Sequence, residues 1–316
     1  MRNFISEDDI EQAILQKLEG DPFQYGILRC DPSPDKRELL PDGTGRSSKN
    51  ECVLPLILRE ALARLNPDIP GEKLEEIARD LCRDFSATDM TATNYKYYNQ
   101  IRNGIKISLR RNGKEDFDFV KLVDFDRPEN NTFTAVSQMW IQGRVYWRRP
   151  DVLIFINGLP MVFVELKNSI VKVEEAYNDN LKNYLRDIPN LFAFNQICVL
   201  SNGLETRLGA FNATYNHFFE WLKVDSEKER PDRQALKEAG TVGESSVRYF
   251  IDGLLQKGRL IDYIENFIMF RNQKNKIIAK NHQYFGVNNL MESVKNRAEL
   301  QGKLGVFWHT QGSGKS

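Results

Sequence analysis

Arg148-Arg149-Pro150-Asp151-Val152-Leu153-Ile154-Phe155-Ile156-Asn157-Gly158-Leu159-Pro160-Met161-Val162-Phe163-Val164-Glu165-Leu166-Lys167 is the stretch on which the fold turns. Its two apolar runs flank Asn157-Gly158 and are apolar on both faces, the mark of central strands covered on two sides. Glu165 and Lys167 interrupt the second run. Two residues apart, they share a face, and a charge entering a buried sheet costs several kcal/mol unless it is paired or metal-bound. Strand parity adds a constraint. A two-residue loop at Asn157-Gly158 pairs residue 151 with 164 and sends Asp151 to the wrong face, whereas a three-residue loop sets Asp151 opposite Glu165. The sequence therefore predicts an odd loop or a bulge. Two carboxylates on one face beside a lysine suit a hard divalent cation, Mg²⁺ before others, with Lys167 placed to orient a water or to stabilise charge on a phosphate. The simpler alternative is an internal Glu165–Lys167 salt bridge at a strand end.

Working outward, strand signals recur at 105–109, 117–125, 132–141, 197–201 and 206–211, beginning after Tyr95. A helix is expected over 173–185, with Val173, Ala176, Tyr177, Leu181 and Tyr184 on one face. The first hundred residues read as mostly helical: Ser6 and Asp9 have capping-box spacing ahead of Ile10, Ile14, Leu15 and Leu18, and further helices are expected over 53–65 and 72–85. A loop rich in Pro, Gly and Ser fills 31–50. The economical architecture is α/β, a mixed central sheet flanked by helices.

Charged residues crowd 225–237, so a boundary is expected there, dividing 1–225 from 226–316. Helices are then expected over 247–256, 259–270 and 283–299, and a buried strand over 305–308. Next comes His309-Thr310-Gln311-Gly312-Ser313-Gly314-Lys315-Ser316. Gly312 and Gly314 let backbone amides turn inward to phosphates, and Lys315 and Ser316 suit phosphate and magnesium, so ATP is the expected nucleotide. Because such a loop works at the start of a helix, the sequence is expected to be part of a longer ATP-dependent machine.

The 316 residues are 41% hydrophobic, enough for a large core, which excludes a disordered or fibrous chain. No run approaches the roughly eighteen apolar residues of a membrane span, and no secretory signal opens the chain, so a cytoplasmic protein without a membrane partner is expected. Cys30, Cys52, Cys82 and Cys198 are widely spaced and read as buried thiols. The 44 basic residues balance the 44 acidic ones, so any nucleic-acid contact must be local. Arg144, Arg148 and Arg149, directly ahead of Asp151, form the better candidate patch for sequence-independent phosphate contact. A second basic run spans 101–114.

Arg149-Pro150-Asp151, Asn157-Gly158-Leu159-Pro160, Glu165-Leu166-Lys167-Asn168, Asp187-Ile188-Pro189, Ser201-Asn202-Gly203 and the terminal Trp308 to Ser316, taken in order, resemble the R subunit of type I restriction-modification enzymes. The resemblance implies a PD-(D/E)xK endonuclease domain followed by the start of a RecA-like, superfamily 2 DNA-translocating motor. It further implies Mg²⁺ at Asp151 and Glu165, catalysis by Lys167, double-stranded DNA as substrate, and modification and specificity subunits as partners. Related nucleases carry Gln-x-x-x-Tyr on the following helix, matched here by Asn180 and Tyr184, with Asn one methylene shorter than Gln. An acidic residue on the first helix sometimes joins such sites; Glu11 is the candidate, against the simpler reading of an exposed helix face. Gln283 resembles the glutamine that reads adenine ahead of a helicase phosphate loop, and reads equally as a solvated helix start. Two other classes compete: a catalytically silent docking module of the same fold, and an ATPase fragment with an unrelated accessory domain.

Overall fold

The runs at 152–156 and 159–166 are buried at every position, as expected of strands covered on both sides. The computed structural model describes residues 4–83, 89–111 and 114–306. Among them, β1 (Gly26–Arg29), β2 (Phe133–Ser137), β3 (Val152–Ile156), β4 (Leu159–Leu166), β5 (Ile197–Ser201), β6 (Thr206–Gly209) and β7 (Phe219–Glu220) lie side by side in chain order as a mixed sheet. β1–β2 and β4–β5 are parallel and the other neighbours antiparallel.

Helices cover both faces. They are α1 (Glu7–Glu19), α2 (Pro55–Leu65), α3 (Gly71–Cys82), α4 (Met90–Asn103), α5 over 173–187, α6 (Ser246–Leu254), α7 (Lys257–Asn266) and α8 (Asn281–Lys295). Ile154, Val162, Val164 and Leu166 meet Ile10 and Ile14 of α1, Leu58 of α2 and Phe250 of α6. On the opposite face Leu153, Phe155 and Phe163 meet Val173, Ala176, Leu181 and Tyr184 of α5. The capping box forms, with the Ser6 hydroxyl accepting from Asp9 N–H and the Asp9 carboxylate accepting from Ser6 N–H.

Several expectations need correction. Residues from Tyr95 on do not begin a strand region; they complete α4, capped by Asp89, whose buried Asn94, Tyr97, Tyr98 and Ile101 follow helical spacing. Aromatic richness was the misleading signal. The strand expected over 132–141 breaks after Ser137, and that over 117–125 ends at Val120 in a separate hairpin, Ile105–Arg111 with Lys114–Val120. The helix expected to 270 stops at Asn266. Ile268–Arg271 and Asn275–Ile278 then pair as a hairpin, turning at Asn272 and Gln273 with φ of 52° and 58°. Gly305 and Val306 lie outside any strand, with Val306 90% exposed, and residues 307–308 fall outside the described residues.

The charged stretch does not divide two cores. Phe250, Leu254, Leu260, Tyr263 and Tyr284 belong to the same apolar cluster as Ile154 and Val164, and the Trp221 ring lies 5.6 Å from that of Tyr263. Gly253 lets α6 close on the preceding chain, since a Cβ there would stand 2.1 Å from the Lys223 carbonyl oxygen. On the 275–278 strand, buried Lys276 donates to Asn94 Oδ1 at 3.1 Å, to Gln196 Oε1 at 2.9 Å and to the Asn195 carbonyl.

Candidate active site

The parity problem is solved by a bulge. Asn157 and Gly158, with φ of 52° and 81°, form a two-residue turn that pairs Ile156 with Leu159 and Phe155 with Pro160. Between Phe155 and Ile154 the register shifts by one, so that Ile154 pairs with Val162 and Val152 with Val164. The three-residue loop is not formed; the bulge, at Met161, achieves the same phase. Continued past Val152, this register sets Asp151 across from Glu165. Asp151 Oδ2 accepts from Leu166 N–H at 2.7 Å, which ties the two strand ends together.

Burial governs the electrostatics. Glu165 is 2% exposed, and burial first, then the nearby Asp151 charge, pushes its carboxyl well above the usual range. Burial pushes Asp151 up to about 6, against the opposing Leu166 N–H. Glu11, on α1, is buried at 6% exposure rather than solvated, and burial raises its carboxyl to about 6 with Asp151 contributing. Lys167 Nζ stands 3.8 Å from Glu165 Oε1, a looser contact than a hydrogen bond, and Asn180 Nδ2 donates to that same oxygen. Glu165 Oε2 is buried and accepts no hydrogen bond.

These residues fit a hard divalent cation. Two mutually repelling carboxylates and a buried oxygen without a donor are what such an ion relieves, and Mg²⁺ takes one or two carboxylates with water and phosphate completing its shell. Among the described residues no group of three His, Cys, Asp or Glu side chains is gathered closely enough to hold a metal unaided.

α5 carries the remaining members. It runs Val173–Glu175, then a π segment Ala176–Leu181, then Lys182–Asp187. The π turn explains why buried Ala176 is followed by buried Leu181, a step of five rather than three or four. Tyr184, 6% exposed, donates to the Arg149 carbonyl at 3.1 Å and sets its ring edge-on to Phe163, fastening α5 to β4 and to the chain that leads through Asp151 into β3.

The arginines divide. Arg144 is exposed in the turn of a short hairpin, Ile141–Gln142 with Trp147–Arg148. Arg148 donates to Asp187 Oδ2 at 2.8 Å, and Arg149 donates to the Pro32 carbonyl and lies over the Trp140 ring. A cavity of about 440 Å³ opens beside this hairpin, lined by Gly143, Arg144, Tyr146, Arg186 and Asp187. Gln283 Oε1 accepts from Lys280 N–H at 2.7 Å at the start of α8, a capping contact remote in sequence from the carboxylates. Gly312, Gly314, Lys315 and Ser316 lie outside the described residues. Sequence reasoning missed Gln138. Its side chain donates to Glu11 Oε2, and only its place after β2 could have drawn attention to it.

A mixed α/β sheet with a buried carboxylate–lysine cluster is the class that fold and geometry define. Residues 4–217 match the family described as type I restriction enzyme R protein N terminus, and residues 282–316 match SWI2/SNF2 ATPase. The chain belongs to the family of type I restriction enzyme R protein N-terminal regions. Among curated relatives, the type I restriction enzyme HindI endonuclease subunit of Haemophilus influenzae is 33% identical over 99% of this chain and 29% of its own length. The putative type I restriction enzyme MjaIXP endonuclease subunit of Methanocaldococcus jannaschii is 30% identical over 97% of the chain and 30% of its own. The SauCOLORF180P endonuclease subunit of Staphylococcus aureus is 27% identical over 67% of the chain and 21% of its own. The chain thus spans about 30% of the length of the first two relatives. No helix among the described residues is long and apolar enough to cross a membrane.

Proposed function

We propose that this chain supplies the Mg²⁺-dependent DNA endonuclease of a type I restriction enzyme, with a PD-(D/E)xK fold, acting on unmodified double-stranded DNA after translocation by an ATP-driven motor. The observation that carries the reading is the half-buried Asp151, just ahead of β3, set across from the buried Glu165 of β4, with Glu165 Oε2 unpaired and Lys167 at its side. The family match and the endonuclease names of the relatives support it. Residues 1–225 carry the sheet and carboxylates of the nuclease in this reading, and 226–316, whose helices α6 and α7 close the same core, lead into the beginning of the motor. The SWI2/SNF2 match supports the motor assignment, with Gln283, Gly312, Gly314, Lys315 and Ser316 serving ATP. Modification and specificity subunits are the expected partners.

Asp151 and Glu165 hold the ion, Asn180 fixes the rotamer of Glu165, and Tyr184 keeps α5 against Arg149. When bound, Mg²⁺ polarises the phosphodiester and lowers the pKa of a coordinated water. Lys167 orients that water or stabilises charge on the phosphate. Arg144, exposed at the hairpin turn, meets the DNA backbone. Arg148, its charge balanced by Asp187, supports that hairpin, while Arg149, held by the neutral Pro32 carbonyl, contributes positive potential.

Calorimetric titration of this chain with Mn²⁺ or Mg²⁺ tests the reading. Binding that Asp151→Ala and Glu165→Ala both abolish, in proteins that remain folded, and that Lys167→Ala leaves in place, is the expected result. Absence of binding by the wild-type chain, even with DNA added to supply phosphate oxygens, would overturn it in favour of a docking module.

A further inference from the structure

Gln138 and its partner Glu11 are the members of the cluster that the functional reading leaves without a task. Continuing the β2–β3 register past Ser137 and Val152 sets it across from Asp151, just as continuing β3–β4 sets Asp151 across from Glu165. Three neighbouring strands thus deliver Gln138, Asp151 and Glu165 in a row. Gln138 N–H donates to the Asp151 carbonyl at 3.0 Å, and its Nε2 donates to Glu11 Oε2. The residue therefore joins α1 to the strand that carries the first carboxylate.

Two features of Gln138 have no structural explanation. Its backbone φ is +57°, in the left-handed region that other residues of this chain, Gln273 among them, adopt at turns, and here it falls directly after β2 beside the carboxylates. Its Oε1 is buried and accepts no hydrogen bond. A buried acceptor without a donor is unfavourable, and here it accompanies a second, Glu165 Oε2, in a cluster whose carboxylates already repel one another. The amide orientation is fixed from the other side, because turning it over would aim Oε1 at the Glu11 carboxylate. Against the three carboxylates of Glu11, Asp151 and Glu165 the cluster sets the one ammonium of Lys167, 3.8 Å from Glu165, so oxygen lone pairs are in excess. Three acidic or imidazole ligands are not gathered here, so a hard cation must draw on neutral oxygens as well.

We propose that Gln138 belongs to the metal shell, its Oε1 supplying a neutral oxygen to the divalent cation held by Asp151 and Glu165 while its Nε2 holds Glu11 in place. This inference rests on the metal-dependent reading above and adds to it a ligand that is not acidic. The strained backbone then has a purpose, since it turns the side chain back toward the strand end instead of letting β2 continue.

The test compares wild type with Gln138→Gly and Gln138→Glu by Mn²⁺ calorimetry and by thermal unfolding of the metal-free proteins. Glycine accepts the positive φ but carries no oxygen. It should weaken Mn²⁺ affinity tenfold or more while the metal-free melting temperature moves little, because loss of the Glu11 contact is offset by relief of the positive φ and of the stranded Oε1, a separation that a purely structural residue would not give. Glutamate restores the oxygen and adds a charge, so affinity should return to the wild-type value or exceed it while the metal-free melting temperature falls. Wild-type affinity in the glycine variant would overturn the proposal, as would a glutamate variant bound tenfold more weakly than wild type. Should the glycine variant not fold, the glutamate variant decides. If wild type and Asp151→Ala alike bind no ion, the metal-dependent reading falls and this proposal with it. Binding that needs Asp151 but ignores Gln138 overturns this proposal alone.

Discussion

Asp151 is held by the fold in a state its own ionisation opposes. Burial pushes its folded-state carboxyl up to about 6, above the unfolded value, so the folded protein binds the proton more tightly and gains stability at low pH. That contribution is lost as pH rises from about 4 through about 6, and Glu11, also raised to about 6, acts in the same direction. Asp151→Asn keeps an oxygen for Leu166 N–H and removes the charge. It should stabilise the metal-free protein at pH 7 by roughly 1–2 kcal/mol, somewhat less than the full worth of a shift of about two pKa units. Urea denaturation with and without Mg²⁺ checks this: added ion should stabilise wild type and leave the variant unchanged. The same physics made part of the site legible. Glu165 and Lys167 stand out because charge interrupts an apolar run, and Asp151 because strand parity can set it opposite Glu165, whereas Asn180 and Tyr184 came from family resemblance. Glu11 is buried only because of where α1 lands, and Gln138 is marked by a backbone angle that no residue pattern encodes.

The Asn157-Gly158 turn and the π segment of α5 do at the level of elements what single residues cannot. Gly158 sits under α2: its carbonyl accepts from Leu54 N–H at 2.9 Å, and a Cβ there would lie 2.6 Å from the Leu54 carbonyl oxygen and 2.8 Å from Leu58 N. Asn157 is fully buried, with Nδ2 donating to the Leu122 carbonyl and Oδ1 accepting from Thr132 N–H. Gly158→Ala meets both a positive φ and backbone contact, and should cost about 3 kcal/mol, read as a lower denaturant midpoint at unchanged m-value. The strands beside this turn were readable because both are buried and bounded by turn residues. α4 was misread where aromatic content outweighed a helical period, and the 268–278 hairpin because its four-residue strands are too short to display alternation.

Across the whole molecule, the charged stretch after Trp221 marks a change of composition and not a change of core. The 268–278 hairpin presses Lys276 into a pocket of acceptors from α4 and the chain entering β5. Burial drives the Lys276 amine well below the usual lysine range, so between that lowered pKa and about 10.4 the unfolded chain binds more protons and stability rises with pH. Lys276→Met removes this slope and deprives three buried acceptors of their donor, a loss of about 1–3 kcal/mol per stranded group at the upper limit. Denaturation at intervals from pH 7 to 9.5 should show the gap widening in favour of wild type as pH rises. Sequence alone could not reveal this attachment, because composition reports where a chain is polar and is silent on which distant surface a later helix covers.

The extra residue at Met161 touches no carboxylate, yet it sets the phase of everything downstream. Remove it, and the apolar residues of β4 could still find a sheet to join, since the strand is apolar on either side, but Glu165 and Lys167 would emerge on the face away from Asp151. Hydrophobic content specifies that there is a sheet here and is indifferent to which way it is turned. A single count, one residue more on one strand than on its neighbour, separates a surface that gathers carboxylates from one of the same composition that scatters them.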